Sequence, residues 1–88
     1  MTVYQISYDL NRPGQDYDTV IKAVKDLGSC AHPLKSMWFV DTQLTAQGLY
    51  AVMKKFIDGS DRLFISRVTA DHAGWLDSDI IDWLKGRV

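Results

Sequence analysis

Ser29-Cys30-Ala31-His32-Pro33-Leu34-Lys35-Ser36-Met37-Trp38-Phe39-Val40-Asp41-Thr42 is the stretch that decides the fold. It divides into two short runs, Ser29 to Leu34 and Met37 to Thr42, with Lys35-Ser36 between them at hairpin spacing. Met37-Trp38-Phe39-Val40 is apolar at four consecutive positions. Successive strand residues point to opposite faces, so this strand needs cover on both sides and belongs in the middle of a sheet. Pro33 has no N–H and suits an edge strand or a strand end.

Outward from the hairpin, helical spacing appears on each side. Tyr17, Val20, Ile21, Val24 and Leu27 form one apolar stripe. Asp16 or Asp18 caps it where the helix dipole favours an anion, and Gly28 stands where helices end in the left-handed conformation. On the far side Thr45 is the expected N-cap of a helix running to Ile57, with Leu49, Val52, Met53, Phe56 and Ile57 as its buried stripe. Further out lie two more strands. Val3 to Leu10 alternates Tyr4, Ile6, Tyr8 and Leu10 on one face with Val3, Gln5, Ser7 and Asp9 on the other. Arg62 to Val68 is the fourth strand. After a loop over Thr69 to Gly74, Asp77 or Ser78 caps a last helix to about Lys85, with Leu76, Ile80, Ile81, Trp83 and Leu84 as its apolar band and Gly86 as its stop.

The order is β-α-β-β-α-β followed by α, which predicts an α+β fold of the ferredoxin-like, split βαβ type. Right-handed crossovers then give an antiparallel sheet in the order 4-1-3-2 with the first two helices on one face. The expected core is Val20, Val24, Val52, Met53 and Phe56 over Ile6. The opposite face is also apolar along the third and fourth strands. The last helix, a second copy of the chain, or both must cover it.

The 88 residues make one expected domain, 1–88. Hydrophobic residues at 47% and charged residues at 24% are globular values and exclude a disordered, collagen-like or coiled-coil chain. No apolar run reaches the length of a membrane span. No basic segment precedes an apolar stretch near Met1, so no signal peptide is expected. The lone Cys30 cannot close an internal disulfide, and the cytoplasm is the expected compartment. Ten basic residues against eleven acidic ones give a net charge of -1, which argues against salt-driven binding to a polyanion.

Asp9 is the most informative side chain. It ends a central strand on the face opposite Tyr4, Ile6 and Tyr8. In a face-to-face homodimer two Asp9 carboxylates approach across the two-fold axis, an arrangement suited to Mg²⁺ and, through it, to phosphodiester hydrolysis. The plainer reading is that Asp9 starts the turn that follows. Arg12, in Asn11-Arg12-Pro13-Gly14-Gln15, stands near a helix start that binds phosphate in other settings, but Asp16 and Asp18 compete for it. Cys30-x-His32 offers two metal ligands without a second pair, and Cys30 reads as a small core residue rather than a nucleophile. Trp38, Trp75 and Trp83 have the chemistry to stack on bases, yet no basic stripe interleaves them. Lys22, Lys25, Lys54 and Lys55 read as solvated helix faces.

Tyr8-Asp9-Leu10 at the end of the first strand, Gly28, Ser36-Met37-Trp38 opening the third strand and Asp61-Arg62-Leu63 before the fourth form a series. Over Val3 to Val68 it resembles the small CRISPR-associated proteins that partner the spacer integrase and the virulence-associated D-type proteins. It is similar above all to a bacterial SinR-like family of undefined role. The resemblance implies a ferredoxin-like homodimer in which Asp9 corresponds to the metal-binding aspartate of the nuclease members. Leu34 and Lys35 stand where the CRISPR proteins commonly carry a glutamine, and the tail from Trp75 reads as a helix where those proteins add a strand. Two functions follow: a non-enzymatic homodimer that docks a protein or nucleic-acid partner, with no membrane role, and a Mg²⁺-dependent nuclease centred on Asp9.

Overall fold

A computed structural model describes residues 2–10 and 17–88. Asp16 and the Arg12 loop lie outside the described residues. The elements are β1 (Thr2–Asp9), α1 (Tyr17–Lys25), β2 (Ser29–Leu34), β3 (Met37–Thr42), α2 (Ala46–Met53) with a 3-10 turn over Lys54–Phe56, β4 (Arg62–Arg67) and α3 (Ser78–Leu84). The four strands form one antiparallel sheet in the order β2-β3-β1-β4. The hairpin bounds are those the sequence predicts, and β3 and β1 are the central pair.

Register fixes the two faces, because side chains alternate along each strand. Ile6 sits between Trp38 and Ile65, and Tyr8 pairs with Leu63. These residues join Val20, Ala23, Val24 and Met53 in the first core cluster, so α1 and α2 cover the same face. Trp38 donates its indole N–H to the Tyr8 hydroxyl at 3.2 Å, which satisfies both polar atoms inside this core. On the second face Val3, Gln5, Ser7 and Asp9 lie level with Asp41, Phe39 and Met37 of β3 and with Ser66, Phe64 and Arg62 of β4. Here Val3 and Phe39 pack with Ile80 and Leu84 of α3 in a second cluster. The last helix therefore folds over its own sheet. Arg87 stacks 4.3 Å over Trp83, Trp83 lies parallel to Phe39 at 6.4 Å, and Arg87 Nε stands 3.8 Å from Asp41 Oδ2.

Local rules explain most boundaries. Thr45 accepts the Gly48 N–H at 3.1 Å as the N-cap of α2. Asp77 occupies the N-cap of α3, but its side chain makes no capping bond. Gly86 adopts φ 81°, the left-handed stop the sequence predicts. Gly28 differs from expectation. Its φ is 158°, well away from the left-handed helical value, and a Cβ there would strike the Asp41 carbonyl oxygen. Close approach of the chain to β3, rather than a helix cap, demands this glycine.

Two core assignments need correction. Val52 and Phe56 are only half-buried, whereas Val20, Val24, Met53 and Ile6 are sealed. The regular helix ends at Met53, and the 3-10 turn carries Phe56 off the buried stripe. Leu49 and Ala23 are buried with the core.

The two sheet edges are built differently. β2 carries Pro33 and a register shift between Ala31 and Leu34. β4 is regular and begins and ends with arginine, Arg62 and Arg67. Among the described residues no helix is long and apolar enough to cross a membrane.

Candidate interaction surface

Helix α3 covers the Val3–Phe39 end of the second face and leaves the Ser7–Asp9 end open. Three of the large exposed apolar side chains gather around this opening: Trp75 at 99% exposure, Phe64 at 66% and Leu34 at 53%. Phe64 lies level with Ser7 on the sheet, and Leu34 lies level with Met37. Trp75 projects from the loop between β4 and α3. Between the apolar residues runs a polar ladder. Gln5 donates from Nε2 to Ser66 Oγ at 2.8 Å, and Ser7 donates from Oγ to Gln5 Oε1 at 3.1 Å. The ladder satisfies these half-buried groups internally, so covering them costs little.

A cleft of about 490 Å³ opens on this side. Gln5, Met37 and Phe39 form its floor, Ile81 and Leu84 of α3 one wall, and the loop from Thr69 to Leu76 the other. Its size and apolar floor are those of a site that takes a planar or branched apolar group. Arg67, Asp71 and His72 also line it. His72 Nδ1 is 2.6 Å from the Thr69 carbonyl oxygen. A carbonyl only accepts, so Nδ1 is the donor of this contact.

Asp9 lies on the open face, exposed, beside a shallow recess lined by Ser7, Tyr8, Arg62, Leu63 and Phe64. Its register partner Arg62 directs its guanidinium to the carbonyls of Asp61 at 2.9 Å and Gly59 at 3.4 Å. Among the described residues no group of three or more His, Cys, Asp or Glu side chains is placed to hold a metal ion. His32 stacks on Trp38 at 4.0 Å with the rings 7° apart, and its Nε2 meets the Lys35 carbonyl oxygen at 3.1 Å. Cys30 packs against the first core cluster. Burial pushes its thiol pKa up, with the Lys25 ammonium pulling weakly the other way. Burial likewise raises the Tyr8 hydroxyl, partly offset by the Trp38 hydrogen bond, with Tyr17 adding to the rise.

The four lysines Lys22, Lys25, Lys54 and Lys55 are exposed, as expected of solvated helix faces. Lys25 reaches over the Trp38 ring and Lys54 over Tyr50, each at 5.9 Å, while Lys22 pairs with Asp26 at 3.1 Å. Trp83 and Trp38 are structural, and Trp75 alone of the three tryptophans faces solvent fully. The sequence marked Trp75 only as an aromatic with stacking chemistry at the start of the tail, and did not show the cleft beside it. Comparison with protein-family models, curated proteins and solved structures finds no match for this chain.

Proposed function

We propose that this chain is a ferredoxin-like cytoplasmic interaction protein that works as a homodimer through the open half of its second sheet face. The observation that carries the reading is the gathering of Trp75, Phe64 and Leu34 on that half, beyond the reach of α3. Exposed apolar surface of this kind, set among satisfied polar groups, is the usual mark of an association site. Support for the fold family comes from the strand order β2-β3-β1-β4 and from α1 and α2 sharing one face. Support for the compartment comes from the single half-buried thiol. The net charge of -1 gives no general attraction for a polyanion, so a further partner is a protein rather than a nucleic acid. Sedimentation velocity from 1 to 100 µM tests the reading. A species of twice the 10.0 kDa chain mass is expected, and a 10.0 kDa particle throughout overturns it.

The exposure of Asp9 on the same open face favours one second reading, a nuclease dependent on Mg²⁺. Dimerisation over this face brings two carboxylates together, and Mg²⁺ binds through few protein ligands while keeping its waters. Cleavage of single- or double-stranded DNA or RNA should then require Mg²⁺ or Mn²⁺ and vanish in Asp9→Asn. The variant should unfold at the same denaturant concentration as the wild type, because an exposed strand-end carboxylate packs against little. Equal digestion by both proteins, or none by the wild type, rejects the nuclease.

A further inference from the structure

We infer that each chain of the homodimer inserts Trp75 into the cleft of the other, so that the cleft is an indole socket completed only by a second copy. The inference rests on the homodimer reading and names the side chains that join the two copies.

Three features of the surface converge on this occupant. Trp75 is 99% exposed, in a chain whose other two tryptophans are packed. A side chain of this type gains most from burial in a desolvated pocket and is the commonest anchor of protein interfaces. The cleft beside it has a volume of about 490 Å³, an apolar floor in Met37 and Phe39, and a mouth flanked by exposed Leu34. Because Trp75 stands on the rim of its own cleft, a two-fold axis passing near that rim carries each indole to the mouth of the other. The interface is isologous and closes at two chains.

Charge and area agree with a second copy. Arg67 and Asp71 both line the cleft, one of each sign. A cleft that carries both signs does not repel a second copy of itself, as a cleft of one sign would. Burying Trp75 with Phe64 and Leu34 removes roughly 400 Å² from each chain, before counting the surfaces that receive them. A two-fold pair therefore passes the roughly 1,000 Å² total of a specific interface.

The test uses two variants that alter opposite sides of one socket. Trp75→Ala removes the indole and keeps the cleft, whereas Leu34→Glu keeps the indole and puts a charge at the mouth. Both positions are exposed, so both variants should fold with the wild-type circular dichroism spectrum. Emptying one socket should weaken association about 30-fold, so either variant alone, with both sockets empty, dimerises about 1,000-fold more weakly than the wild type. An equimolar mixture restores one filled socket and should associate about 30-fold more tightly than either variant alone. Wild-type tryptophan emission should shift to the blue as concentration rises, and Trp75→Ala should show no such shift. Dimerisation of either variant with wild-type affinity, or failure of the mixture to associate, overturns the socket and leaves the dimer standing. A wild type that stays monomeric to 100 µM overturns both.

Discussion

The Cys30 thiol sits half-buried on the helix-facing side of β2, level with Val40 and near Lys25. Burial disfavours the thiolate more than the Lys25 ammonium favours it, so the folded pKa lies above the unfolded one. The proton is held more tightly in the folded chain. Any stability from this group is complete below the unfolded thiol pKa and is lost as pH rises through the folded one. Only the thiolate attacks a disulfide reagent. Labelling of the native protein should therefore lag behind the guanidinium-unfolded chain at pH 8, with its rate–pH curve displaced upward. Lys25→Gln should displace it further. A native curve at or below the unfolded one contradicts the assignment. The sequence already placed Cys30 as a small core residue, because a cysteine within an apolar strand packs more often than it reacts. It did not show the His32–Trp38 stack nearby, which joins a strand residue to its hairpin neighbour across the irregularity in β2.

Among the elements, α2 separates what sequence pattern can read from what it cannot. Thr45 is legible as a cap because its hydroxyl has one obvious use, the Gly48 N–H. Leu49 and Met53 are legible because they are four apart on one helical face. Phe56 continues the same pattern on paper, but the chain tightens to three residues per turn from Lys54, and the ring swings toward the boundary of the core. Met53→Ala should cost about 2–5 kcal/mol, since the side chain is sealed. Phe56→Ala should cost less than the roughly 3–5 kcal/mol of a fully buried phenylalanine. Urea titration of both variants checks the pair, and a Phe56→Ala loss in the full-burial range would restore the longer helix. For α3 the apolar band Ile80, Leu84 and Trp83 was readable, but its destination was not. A short amphipathic helix records that it needs a surface and does not record whose. The answer depends on Phe39, Asp41 and Ser29, some forty to sixty residues earlier in the chain.

At the scale of the whole molecule, periodicity made the sheet legible and distance hid the cleft. The change from period 2 to period 3.6 and back leaves few ways to arrange four strands, and β3 had to be central because four apolar residues in a row need two covers. The cleft collects Gln5, Met37, Arg67, Trp75 and Leu84, residues from five separate segments, and nothing local ties them together. The sequence read Trp75 as the start of the helical tail, whereas α3 begins only at Ser78 and leaves Trp75 in the loop beside the cleft. The two edges of the sheet also bear on how the molecule behaves when crowded. Fibre growth needs a strand edge that another chain can copy. On β2, Pro33 has no N–H to give and the irregularity beside it breaks the ladder. On β4, Arg62 and Arg67 put a cation at each end of the strand, and charged side chains along an edge discourage pairing with another chain. The same chain that presents a sticky face thus presents unsticky rims, and the proposed pairing through that face would close at two copies rather than grow into ribbons.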